Sequence, residues 1–269
     1  MTRERNRWLS AYALLVYAFL FAPIVVLIIF SFNSARRGLV WRGFTVDWYP
    51  QLFSNDELLD ALFVTLQVAF VAVIVSTILG SLLGLGLARM RFRGRGATET
   101  LLLVPMVTPE IVMGLALLLF FLQLFDAHGS IGQLWVAHIT FCISYVAVVV
   151  RARAASMNPQ LEEAARDLGA SAWGAFRYVT LPLIAPAVLA GALLAFSLSF
   201  DDYVVTTFNS GVGGSTLPLY IYGAIKFGVT PEINAISTII VAVTAIAILI
   251  AWRAGAFRTE AERPVAEGS

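Results

Sequence analysis

The sequence carries little charge, one cysteine and two histidines: 13% of its 269 residues are Asp, Glu, Lys or Arg. A single cysteine excludes an intrachain disulfide, so Cys142 reads as a small buried hydrophobe. His128 and His138 stand isolated and read as inert, and no cluster has the spacing of a metal site. There is no Walker A loop and no Ser, His and Asp set. The chain therefore brings no catalytic residues and no cofactor site of its own. What fills the sequence instead is apolar: 59% of residues are hydrophobic and the mean hydropathy is +0.83.

About 20 consecutive apolar residues suffice to cross a bilayer core. Six runs qualify, at about Leu9–Phe32, Leu58–Ala88, Leu101–Phe125, Ile131–Val150, Ala187–Phe208 and Ile233–Trp252. Lipid offers no partner for backbone N–H and C=O groups, so each run must be helical. The runs are continuous rather than alternating, which excludes a β-barrel. The expected fold class is all-α: a polytopic membrane protein with six transmembrane helices, read as one transmembrane domain over residues 1–269. The first run is too long for a signal peptide and no small-x-small cleavage site precedes Asn33, so it reads as a retained span. Gly80 and Gly84 form a small-xxx-small face in the second span, where another helix can approach closely.

The net charge of +1 says little, but its distribution is uneven. Arg3, Arg5, Arg7, Arg89, Arg91, Arg93, Arg95, Arg151, Arg153, Arg166, Arg177, Arg253, Arg258 and Arg263 fall on one side of the spans. Arg36, Arg37, Arg42 and Lys226 fall on the other. The positive-inside rule then puts both termini, and the 151–186 connection, in the cytoplasm. Topology and lipid headgroups account for these arginines, and no nucleic acid is needed.

Against this apolar background three carboxylates stand out. Pro105 and Pro109 are expected to break the third run early, and Glu110 follows directly, roughly 14 Å in from Leu101 at 1.5 Å per residue. Asp201 and Asp202 lie in the fifth. An acidic group at the centre of a spanning helix costs about 2.5–3.5 kcal/mol on insertion scales, and no Lys or Arg lies in the same runs to pair with these. A cationic substrate is a natural transient partner. The alternatives are protonation, hydrogen bonds to neighbouring helices, or a position near outside water. Ser199, Asp202, Thr206 and Asn209 share one face of a continuous helix, so Asp202 is expected to face a pathway. Asp201, on another face, is expected to make a fixed hydrogen bond.

The longest polar stretch between runs is Arg151–Pro186. Asn158-Pro159 suits a helix start, Glu162 and Glu163 fall in or near its first turn, Gly169 suits a left-handed C-cap, and Ser171 can cap the next turn. The order is Glu163-Ala164-Ala165, three residues, Gly169, nine residues, Val179, one residue, Leu181-Pro182. This spacing resembles the EAA signature of binding-protein-dependent ABC importer permeases, with valine where the family more often has isoleucine. The resemblance implies that Glu163, Ala164, Ala165, Gly169, Leu181 and Pro182 belong to a coupling helix seated on a separate ATPase subunit.

Phe44-Thr45 with Trp48-Tyr49, Phe200-Asp201-Asp202-Tyr203-Val204-Val205, Leu217-Pro218 and Pro231-Glu232-Ile233-Asn234-Ala235 narrow the likeness. They resemble the spermidine/putrescine branch, in particular its PotC-type second permease. That resemblance implies a type I importer of the bacterial inner membrane. This chain and a second permease would enclose one pathway, two ATPase subunits would bind ATP and magnesium, and an extracytoplasmic binding protein would deliver a polyamine. It also implies substrate contacts at Trp48, Glu110, Ser199, Asp201 and Asp202, with Glu110 one methylene longer than the aspartate of the family pattern. A permease for ferric iron or an anion is the alternative within the class; a stand-alone channel or carrier would leave the EAA segment unexplained.

Overall fold

A computed structural model describes residues 7–35, 40–126, 129–211, 214–226, 228 and 230–253. Arg3, Arg5, Arg36, Arg37, His128, Gly213, Arg258 and Arg263 lie outside them. The described residues are helical apart from turns and one isolated antiparallel bridge, Asn33 to Phe44. The twelve helices among them are α1 (Arg7–Phe30), α2 (Trp48–Leu52), α3 (Asp56–Arg89), α4 (Arg95–Val107), α5 (Glu110–Phe125), α6 (Ile131–Ser156), α7 (Gln160–Asp167), α8 (Ala172–Ala175), α9 (Leu181–Phe200), α10 (Val204–Asn209), α11 (Leu217–Lys226) and α12 (Pro231–Arg253). A π-helical turn, Phe176–Thr180, joins α8 to α9. Among the described residues five helices are long and apolar enough to cross a membrane, or six spans if α4 and α5 count as one bent span. The all-α expectation holds.

Two compact units divide the chain: residues up to Asp56 with those from Gly223 onward, and Glu57–Tyr222. In the first unit, α12 packs against α1 and α2. The connection after α1 is knitted by Asn33, whose Oδ1 accepts from the Arg42 amide at 2.9 Å and whose Nδ2 donates to the Val40 carbonyl at 2.9 Å. Trp48 is buried there, and its Nε1 donates to the Asn33 carbonyl at 2.7 Å.

In the second unit α6 is the central element, burying Ala137, Cys142, Val146 and Val150 among its neighbours. Cys142 is fully buried, as a small hydrophobe should be. Gly80 and Gly84 of α3 pack on α6, so the small-residue face serves this subunit. A Cβ added to Gly84 would lie 2.5 Å from the Ala147 carbonyl oxygen and 3.0 Å from the Arg151 amide nitrogen. Backbone on that side cannot yield as a side chain can. Gly84→Leu is expected to destabilise the packed state by about 1–3 kcal/mol or more, the usual cost of overpacking. The check is the yield of monodisperse purified protein; a yield equal to the unaltered chain would show that α3 and α6 separate without penalty.

Two expected spans are broken. The third is cut at Thr108 and Pro109, which are extended, and the chain bends by 113° between α4 and α5. Proline lacks the amide proton and its ring disfavours a helical residue before it, so Thr108 leaves the helix. Pro105 does not break the chain and stays inside α4. The fifth is cut at residues 201–203, between α9 and α10. This corrects the expectation of one continuous helix through Asn209. Asp202 explains the break: its carboxylate accepts hydrogen bonds from the amides of Val205 at 3.2 Å and Thr206 at 2.8 Å, satisfying a new helix start. Short acidic side chains compete with the backbone in this way.

Candidate functional site: an acidic cavity at two helix breaks

The two breaks lie at one cavity of about 300 Å³, lined by residues of the Glu57–Tyr222 unit. Glu110, Asp201 and Asp202 all line it, with Thr108, Tyr145 and Tyr203. Their convergence comes from the breaks. Glu110 starts α5 because Pro109 has ended the preceding segment, and a carboxylate there is favoured by the positive end of the helix dipole. Asp201 closes α9. Glu110 and Asp201 are exposed, and neither has an ion-pair partner among the described residues.

Both adjacent aspartates line the cavity, but the fixed hydrogen bonds expected of Asp201 belong to Asp202. Asp202 is held: besides the two amides, its Oδ2 accepts from the Thr206 hydroxyl at 2.8 Å, and its side chain is 7% exposed. Asp201 has the open carboxylate. The polar stripe of Ser199, Thr206 and Asn209 faces α6 rather than water. His138 Nδ1 lies 2.8 Å from the Ser199 hydroxyl, and its Nε2 lies 3.1 Å from the Thr206 hydroxyl and 3.5 Å from Asp202 Oδ2. One level along α6, Gln133 Nε2 donates to Asn209 Oδ1 at 2.9 Å, and Asn209 Nδ2 donates to the Gly114 carbonyl of α5 at 3.1 Å. All five of these side chains, His138 and Gln133 included, are buried. A polar group within an apolar interior needs an internal partner, and hydrogen bonds across helices supply it.

Three expectations are therefore corrected. Ser199 is buried against His138 and does not line the cavity. Trp48 is buried in its own unit with its indole N–H engaged, so its ring is packing rather than an open face for a cation. His138 is not isolated but joins α6 to α9 and α10. A polar residue midway along an otherwise apolar run was the sequence signal for it.

The segment after α6 forms as its residues dictate. Asn158 Oδ1 accepts from the Gln160 amide at 3.0 Å, just ahead of α7. At the far end Gly169 has φ +90°, its amide donates to the Arg166 carbonyl at 2.9 Å, and the Ala170 amide donates to the Ala165 carbonyl at 3.0 Å. That pair of bonds is a Schellman cap. Ser171 Oγ then accepts from the Gly174 amide at 3.1 Å to start α8. Glu163, Ala164, Leu168 and Trp173 are exposed along this segment, while Leu181 and Pro182 open α9. The EAA residues thus form a compact helix with a solvent-facing side and a direct covalent path into α9.

Five helices of spanning length among the described residues, a bent helix pair beside them and a cavity with two carboxylates that have no ion-pair partner there make up a polytopic membrane transport protein. The chain belongs to the family described as "Binding-protein-dependent transport system inner membrane component", which matches residues 76–256. It is 41% identical to the putrescine transport system permease protein PotI of Escherichia coli K12, over 92% of this chain and 90% of that one. It is 44% identical to the spermidine/putrescine transport system permease protein PotC of Haemophilus influenzae, over 86% of this chain and 90% of the relative. Among solved structures it resembles a bacterial ABC transporter involved in the import of the acidic polysaccharide alginate, with TM-score 0.66 and 18% identity over 94% of this chain and 97% of the other. It also resembles the MetNI methionine ABC transporter, with TM-score 0.62 and 16% identity over 77% of this chain and 96% of the other. At such identities these two likenesses define the fold and not the cargo.

Proposed function

We propose that this chain is the permease subunit of an ATP-driven importer of polyamines such as putrescine and spermidine. It works in a bacterial inner membrane with both termini cytoplasmic. The observation that carries the proposal is the cavity: Glu110 and Asp201 are open carboxylates without a cationic partner among the described residues, and Asp202 is fixed beside them. Ammonium groups of a polyamine match such a site in charge, and the 41–44% identity to the putrescine and spermidine/putrescine permeases supports the same cargo. An anion would meet like charge there, which disfavours that alternative. Ferric iron is disfavoured by the donor set, because Asp202 already spends both oxygens on protein donors.

The same proposal assigns the partners. Of two ATPase subunits carrying ATP and magnesium, one docks on the exposed side of α7 and α8. A second permease completes the pathway, and an extracytoplasmic binding protein delivers the cargo. The chain contributes the route and the coupling surface, not the hydrolysis. The test is uptake into proteoliposomes holding the complete complex. Labelled putrescine or spermidine should accumulate only with internal ATP and binding protein, and unlabelled polyamine should compete. Competition by a phosphonate or a neutral sugar, but not by polyamine, would overturn the assignment.

A further inference from the structure

The EAA signature draws attention to Glu163, yet it is the preceding residue that is tied into the protein. Glu162 Oε1 accepts from the Thr180 hydroxyl at 2.7 Å and lies 3.4 Å from Arg89 Nη2. One carboxylate oxygen therefore connects three elements: α7, the π-turn that leads into α9, and the last residue of α3. Neighbours on a helix point about 100° apart, so Glu162 turns inward as Glu163 turns out. Thr180 is 4% exposed and Glu162 is partly buried.

The surroundings make this contact matter. α7 has eight residues and buries none of them. A helix that short is marginal by itself, and burial of an apolar face does not hold this one. Arg89 Nε and Nη2 are buried without a hydrogen-bond acceptor, so the Glu162 carboxylate is also the charge that compensates the guanidinium. Thr180 ends a π-turn, a distortion found often at functional positions, and α9 begins at the next residue. From there α9 runs about 30 Å, at 1.5 Å per residue, to Asp201 at the cavity.

We propose that Glu162 is the positioning residue that makes α7 and α9 move as one body, with Thr180 as its grip on α9 and Arg89 as its grip on α3. Displacement of α7 then reaches the acidic cavity along a continuous helix. Without the grip, α7 pivots on the turn at 176–180 and the displacement is lost. This inference rests on the docking role proposed for α7.

The test uses the reconstituted complex and reads substrate transported per ATP hydrolysed. Thr180→Val keeps the shape and removes the donor; Thr180→Ser keeps the donor. Thr180→Val is expected to assemble, retain basal ATP hydrolysis and lose at least about fivefold in transport per ATP, the low end of measured coupling between sites. Thr180→Ser should restore the ratio, a rescue that a packing role for the threonine methyl would not produce. Glu162→Gln, which keeps the shape but loses the charge, should fall between them and serves as the reading if Thr180→Val does not assemble. A normal ratio in Thr180→Val, or in Glu162→Gln if that is the one assembled, overturns the proposal. Glu163→Lys separates the two levels. If it uncouples while Thr180→Val does not, only the Glu162 grip is wrong; if neither uncouples, α7 is not the docking helix.

Discussion

Asp201→Asn is expected to cut polyamine uptake by roughly 10- to 100-fold with the complex still assembled, whereas Asp202→Asn is expected to lower assembly itself. The first magnitude corresponds to losing a charge-assisted contact, about 1.5–3 kcal/mol. Asp201 has an exposed carboxylate at the cavity and no ion pair to lose among the described residues, so the substitution leaves no broken structure behind. Asp202 accepts from two amides and a hydroxyl with its two oxygens, beside His138. An asparagine presents one oxygen and an amino group, and that group must face a donor. The loss resembles removal of a helix cap with a buried donor left unsatisfied, about 1–3 kcal/mol. Uptake and thermal melting, measured on both purified variants side by side, decide the matter. A normal melting temperature with lost uptake in Asp202→Asn, together with normal uptake in Asp201→Asn, would restore the opposite assignment.

The fixed hydrogen bonds of Asp202, expected of Asp201, mark where periodicity stops being informative. Ser199, Asp202, Thr206 and Asn209 do repeat at helical spacing, but the spacing presumes an unbroken helix. Asp202 holds the means of ending one, since its carboxylate caps the start of α10. The stripe is also ambiguous in kind. A polar face in an apolar segment meets either water or another polar helix, and the partner here, His138 with Gln133, lies more than 60 residues away in sequence. Nothing local in a single sequence marks that pairing. Trp48 illustrates the same ambiguity: an aromatic near a membrane surface is available to cargo or packed, and only the Asn33 carbonyl under its indole nitrogen decides.

Much else was legible because it depends on local chemistry. The apolar runs foretold the long helices, since each run exceeds what a soluble helix needs and lipid permits little besides a helix. Pro109 foretold the break ahead of Glu110. Gly80 and Gly84 foretold a close approach, though not that α6 would be the partner. The segment from Asn158 to Ser171 was the most readable of all, because capping is decided within a few residues. In the sequence Glu162 is only a residue of the first turn; its bond to Thr180 spans 18 positions and a change of direction.

That readable segment carries the second large effect. Gly169→Pro and Glu163→Lys are each expected to leave the chain inserted while abolishing substrate-stimulated ATP hydrolysis, through different causes. Gly169 sits at φ +90°, which proline cannot adopt, and its amide donates to the Arg166 carbonyl. Proline removes that bond and forces the backbone out of the cap, so the end of α7 unwinds. Space is not the issue, since a Cβ there would meet nothing within 4 Å. Gly169→Ala should therefore be far milder, about 1 kcal/mol for the left-handed conformation. Glu163→Lys leaves α7 folded, because its side chain is exposed and has no ion pair among the described residues. It reverses the charge that α7 offers to its docking partner, and against a basic partner surface the like charges would cost several kcal/mol. The pair thus separates the shape of the helix from its charge. Stimulated hydrolysis and uptake are measured in the reconstituted complex, with membrane insertion checked by yield. Near-normal stimulation in Glu163→Lys would remove charge from the contact, and near-normal stimulation in Gly169→Pro as well would mean that motion reaches α9 without passing through α7.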